Sequence, residues 1–159
     1  MSHPDLFIHR LSFALTDWIA TAMKSAHFGE SDQSILELNP SIAEFLTTCA
    51  KLDELTEAEL LYTGCLIETA ILTQLHSDPQ RFALLKEDNI GIFILSSIII
   101  TLKCLRDETH PNSSWADAFH IDLAAINSAE RLILKCLQYH ANVSVQKVGN
   151  LQLRLGFTK

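Results

Sequence analysis

Apolar residues recur at helical spacing along most of the chain, and capping residues cut that pattern into segments. Asp5, following Pro4, opens a helix expected to run to about His27, with Leu6, Ile8, Leu11, Leu15, Trp18, Ile19 and Ala22 as its apolar face. Gly29, Ser31 and Asp32 predict a loop. Ser41-Ile42-Ala43-Glu44 fits a capping box, in which serine and glutamate satisfy each other's unpaired amides, and predicts the start of a second helix. Thr56-Glu57-Ala58-Glu59 repeats that signature and predicts a longer helix to about Leu75, stopped by Ser77-Asp78-Pro79.

From about Asp88 to Arg106 the pattern changes. The segment is apolar around nearly its whole circumference, and a helix of that kind must be surrounded by others. It is therefore expected to be the central helix. Asp107 to Ser114 is rich in turn formers and predicts a loop. A short helix near Trp115 to Phe119 follows, and Asp122 caps another reaching about Gln138. Val145, Val148, Leu151 and Leu155 predict a last packed helix within the tail from Val143 to Phe157. The pattern predicts an all-α fold of six or seven helices around one buried hub.

Composition narrows the picture. The 159 residues suffice for one domain with a sizeable core. With 5 glycines and 4 prolines, the chain lacks the turn formers an all-β fold needs. A formal charge of -7 argues against nucleic-acid binding, which requires clustered Lys and Arg. Cys49, Cys65, Cys104 and Cys136 have no zinc-ligand spacing and are read as small buried hydrophobes in a reducing compartment. No basic-then-apolar leader is expected. The run from Ile90 to Leu102, shorter than the roughly 20 residues that cross a bilayer, reads as core.

Two charges break the pattern. On the helix through Ile126, an apolar face is formed by Ile126, Ala129, Leu132, Ile133, Cys136 and Leu137, and Glu130 falls within or beside it. Lys103 sits among Ile99, Ile100, Leu102, Cys104 and Leu105 at the end of the central helix. A buried charge needs a partner. Each also has a purely structural reading. Lys103 can snorkel at a helix C-terminus, and Glu130 can be the N3 partner of a cap at Asn127.

Other chemistry is sparse. The sequence holds no glycine-rich phosphate loop, G-x-S-x-G or HExxH motif. Two Asp-x-x-His pairs, Asp107/His110 and Asp117/His120, match a di-iron pattern poorly, since Pro111 places the first in a loop. Neither a catalytic set nor a metal or other cofactor is expected.

From Lys103 onward the sequence resembles the cyclin box, especially single-box cyclins of the cyclin Y and phosphate-regulatory type. Glu130-Arg-Leu-Ile-Leu-Lys-Cys-Leu-Gln-Tyr139 looks like the fifth box helix, and Asn112-Ser-Ser-Trp115-Ala116 is similar to the family's Asn-x-x-aromatic-Ala segment. Asp122 and Asn127 fall on its helix-cap and Asn positions. Ala43 to Ile71 aligns more weakly with the first two box helices.

The resemblance implies one cyclin-like domain over residues 1–159. It would comprise a five-helix box over about 40–142, an extra N-terminal helix over about 5–27 and a C-terminal tail over 143–159. It implies a regulatory subunit, not an enzyme, that binds and activates a cyclin-dependent protein kinase through the kinase C helix. Lys103 and Glu130 would carry the polar contacts, with Ile100, Cys104, Leu134, Tyr139 and Ala141 around them. An intracellular site, cytoplasmic or nuclear, follows, with no membrane partner.

The sequence also departs from the family. Thr101-Leu102 replaces a small Ala-Ser, and Phe119-His120 replaces a glycine pair. Glu68 stands for an Asp whose Arg partner has no counterpart near Thr48 and Cys49. These departures motivate the alternative of a cyclin-fold adaptor for a non-kinase protein.

Overall fold

The structure, a computed structural model, describes residues 3–25, 32–77, 85 and 87–157. Seven α-helices occupy them: α1 His3–Ser25, α2 Asp32–Leu52, α3 Glu57–Ser77, α4 Ile90–Leu105, α5 Asn112–Phe119, α6 Leu123–Cys136 and α7 Val145–Arg154. A 3-10 turn over Glu87–Asn89 leads into α4, and the described residues contain no strand. The expected features at His27, Gly29, Ser31, Asp78 and Pro79 lie outside the described residues.

Helix α4 is the hub. Every residue from Phe93 to Leu102 is buried, so the helix has no solvent face over that stretch. It packs against α2, α3 and α6, while α1 lies on α2 and α3, and α7 lies on α3. Leu11, Leu15 and Ile19 of α1 are fully buried, so the first helix is part of the same core. Each such side chain contributes about 1.5–3 kcal/mol by leaving water. Gly64 of α3 permits the close approach of α1 and α7, because a Cβ there would come within 3.0 Å of both Leu11 and Leu151. No helix among the described residues is long and apolar enough to cross a membrane.

The Thr56–Glu59 capping box forms as expected. Thr56 N–H donates to Glu59 Oε2 at 2.8 Å, and Glu59 N–H donates to Thr56 Oγ1 at 3.2 Å. Asp122 likewise caps α6 through Ala124 N–H, and Ser144 caps α7 through Lys147 N–H.

The Ser41–Glu44 capping box does not open its helix. Helix α2 begins at Asp32 and runs through Pro40 and Ser41. A proline here removes one helical hydrogen bond, but the upstream turn is tied to α1, where Ser12 Oγ donates to Asn39 Oδ1 at 2.9 Å. The predicted 107–114 loop is also shorter than expected. Pro111 takes the N-cap position with φ -65°, and α5 starts at Asn112 rather than near Trp115.

Some apolar positions are exposed. Leu132 is 44% exposed and Val145 89%, because each lies on the outer side of its helix while Ile126, Ile133 and Leu151 turn inward. The cysteines divide. Cys49 and Cys65 are buried as expected, but Cys136 is half-buried and Cys104 exposed, the latter emerging where α4 leaves the core. All four are free thiols.

Candidate functional site

The end of α4 carries the two residues whose charge broke the apolar pattern, and they meet. Lys103 Nζ donates to Glu130 Oε1 at 2.8 Å. Glu130 is only 8% exposed, whereas the Lys103 side chain is 43% exposed, so a buried carboxylate is neutralised by an ammonium reaching in from the surface. Helix spacing explains the meeting. Glu130 stands four residues after Ile126 and three before Ile133, both fully buried, so it shares their side of α6 facing α4. Glu130 is not a capping partner of Asn127, since Asn127 lies well inside α6, which Asp122 caps.

Two asparagines complete the cluster. Lys103 Nζ also donates to Asn112 Oδ1 at 2.9 Å. Asn112 Nδ2 donates to Asn127 Oδ1 at 2.7 Å and to Glu130 Oε2. Three helices thus converge on one network: α4 through Lys103, α5 through Asn112, and α6 through Asn127 and Glu130.

The network borders an open groove of about 550 Å³ between α4 and α6, lined by Ile100, Lys103 and Cys104 on one side and Asn127, Glu130, Arg131 and Leu134 on the other. Five of the seven expected contact residues therefore share this groove: Ile100, Lys103, Cys104, Glu130 and Leu134. Ile100 is buried at its base and Leu134 half-buried on its wall. Lys103 and Glu130 offset each other, and the exposed Arg131 leaves the groove with a surplus of positive charge on an acidic protein. Burial raises the Cys104 thiol pKa, and the Tyr62 hydroxyl partly counters the shift.

Tyr139 and Ala141 do not line the groove. They lie in the turn after α6, which Tyr62 fastens by donating to the Ala141 carbonyl at 2.8 Å and accepting from Val143 N–H at 3.1 Å. Gln138 and Tyr139 both take left-handed backbone conformations, φ 51° and 58°. Neither is glycine, so the turn stores strain of order 1 kcal/mol per residue. It holds the Tyr139 side chain 74% exposed.

Reading the sequence alone missed the bridging role of Asn112, because its segment looked like a loop of turn formers. It also missed Arg106, which follows the hub and joins Glu59 and Asp53. The signal for Arg106 was present: a cation ending an apolar helix needs an acidic neighbour. Glu68, which lacks the arginine expected from α2, is instead held by Arg154 of α7 through two hydrogen bonds of 2.7 and 2.8 Å.

The aromatic residues that look available for ligand stacking are structural. Trp115 is 4% exposed and stacks on Phe119, which contacts Phe45. Trp18 is half-buried against the core under the Arg154 guanidinium. His110 Nε2 lies 3.3 Å from Asp53 Oδ1. No three His, Cys, Asp or Glu residues gather as metal ligands among the described residues.

Comparison with protein-family models, with curated proteins and with solved structures finds no match.

Proposed function

We propose that this chain is a cyclin-like regulatory subunit that binds and activates a cyclin-dependent protein kinase through the α4–α6 groove. The observation carrying this reading is the Lys103–Glu130 pair at the mouth of a groove that also holds Ile100, Cys104 and Leu134. A pre-formed pair of opposite charges gives a partner helix both a donor and an acceptor, while the apolar wall supplies buried area. Binding would favour the kinase conformation with its C helix in the active position, so activation is a shift of population and the chain itself performs no chemistry.

The direct pairing of the two residues dictates the experiment. A single reversal, Lys103→Glu, damages both the fold and any interface. The double swap, Lys103→Glu with Glu130→Lys, keeps an internal ion pair but exchanges the charges a partner meets. Co-purification with a panel of cyclin-dependent kinases is expected to capture one kinase with the native protein and lose it with the folded swap. No capture by the native protein overturns the proposal.

The adaptor reading is favoured by one observation. Glu68 finds its arginine in α7, not in α2 where the family resemblance puts it, so the box differs from the pattern outside the groove as well. A non-kinase partner whose binding survives the swap would establish that reading.

A further inference from the structure

We infer that Asn112 is the positioning residue of the groove: its amide clamps the Lys103–Glu130 pair in one geometry, so that α5 controls what α4 and α6 present. The inference rests on the groove being an interface, but the clamp can be tested without any partner.

The amide is fully engaged, with each end committed to a different charge. Oδ1 accepts from the Lys103 ammonium at 2.9 Å, while Nδ2 donates to Glu130 Oε2 and to Asn127 Oδ1. Glu130 is thereby held at both oxygens, Oε1 by Lys103 and Oε2 by Asn112. An ammonium has three donors, and the pair plus the amide engage two of those on Lys103, leaving one to offer. Without Asn112, the long and half-exposed Lys103 side chain would have one partner and several rotamers, and ordering it on binding would oppose affinity. An amide suits this place because it is donor and acceptor at once. A carboxylate or a hydroxyl cannot meet the same three neighbours with the same geometry.

Asn112 can do this because of its place in the chain. Pro111 is the N-cap of α5, so Asn112 is its first helical residue. Trp115 and Ala116, one turn on, are buried and fix that helix to the core. The amide is therefore held by packing that does not involve the groove.

The test is a double-mutant cycle of Lys103→Met and Glu130→Gln, read from urea unfolding, in the native background and with Asn112→Ser. The pair is expected to couple by about 10-fold in the folding equilibrium constant when Asn112 is present, and by less than about 3-fold when it is replaced. Equal coupling in both backgrounds overturns the inference.

If Asn112→Ser does not fold, Asn112→Asp supplies the same decision. It preserves shape and the acceptor for Lys103 but sets a carboxylate against Glu130 and Asn127 Oδ1. Lys103 is the cation bonded to both positions, and Arg131 lines the same groove. A shared proton restores a donor, so the folded variant binds more protons than the unfolded one and its deficit relative to the native protein shrinks on acidification. The expected result is a several-fold smaller deficit at pH 5 than at pH 7, and a deficit equal at both values overturns the clamp. Failure of kinase capture, by contrast, removes the proposed partner and leaves these stability measurements standing.

Discussion

Helix α4 ends in two cations one turn apart, and the protein treats them in opposite ways. Arg106 is enclosed. Its Nε and one terminal nitrogen donate to the two oxygens of Glu59 at 2.5 and 2.9 Å, and its remaining bonds go to the Asp53 carboxylate at 3.0 Å and carbonyl at 3.1 Å. Every nitrogen of its guanidinium is committed, in a fork that fits carboxylates. Lys103 is open. It holds one carboxylate and one amide, and its flexible stem stays 43% exposed at a groove. The Arg106 cluster closes the α2–α3 turn over the end of the hub. The Lys103 cluster leaves donor capacity at the surface, which is what an interface requires and what a strut does not.

The largest expected effect breaks the enclosed cluster. Arg106→Met leaves Glu59, only 8% exposed, beside Asp53 with no cation between them. Stranding a buried charge costs about 3 kcal/mol or more, and urea unfolding should show that loss. Loss below about 1 kcal/mol would place Arg106 among ordinary surface pairs and erase the contrast with Lys103.

Acid reads the same cluster without mutation. The Arg106 guanidinium holds the Glu59 carboxyl down from an ordinary 4.5 to about 2, with the Thr56 hydrogen bonds adding to it. The folded state therefore keeps Glu59 ionised where the unfolded chain protonates it. Its contribution, on the order of 2–3 kcal/mol, is present above pH 4.5 and lost as pH falls toward 2. Stability measured against pH should drop across that window, and Glu59→Gln should flatten the drop. An unchanged slope in Glu59→Gln would assign the acid response to other carboxylates.

The open cluster should respond less. Lys103→Glu faces Glu130 with a like charge and is expected to cost about 2 kcal/mol, while the Lys103→Glu, Glu130→Lys swap recovers to within about 1 kcal/mol of native. A swap no better than the single reversal would show that the pair depends on its polarity within the fold, and the clamp at Asn112, whose amide would have to turn over, is the reason to look first.

The contrast also explains what could be read from the sequence. Helices and hub were legible because burial imposes a repeating pattern: α4 is apolar on every side because it has neighbours on every side. Glu130 and Lys103 were legible as exceptions to that pattern. Their pairing partner in α5 was not, because Asn112 in Asn-Ser-Ser reads locally as a turn, and only the packing of Trp115 draws it into a helix. The start of α2 was misread for a related reason. Ser41 and Glu44 have the local chemistry of a cap, but contacts with α1 carry the helix upstream through Pro40. Tertiary packing overrides a local signal where the signal is worth about 1 kcal/mol.

The smallest effect tests what the hub asks of a polar group with neither kind of partner. Ser96 lies two turns before Lys103 on the same side of α4 and is fully buried. Its neighbour Ser97 donates to the Phe93 carbonyl at 2.8 Å, and Thr101 accepts from Thr63 at 2.9 Å, but the Ser96 hydroxyl has no hydrogen-bond partner. An unsatisfied buried hydroxyl costs about 1–3 kcal/mol, part of which returns when it is removed. Ser96→Ala should therefore stabilise the protein by about 1 kcal/mol, seen as a higher urea midpoint at unchanged slope. A loss of stability would mean that the hydroxyl is satisfied by an enclosed water, and that the interior of α4, like the two cations at its C-terminal end, leaves no polar group unpartnered.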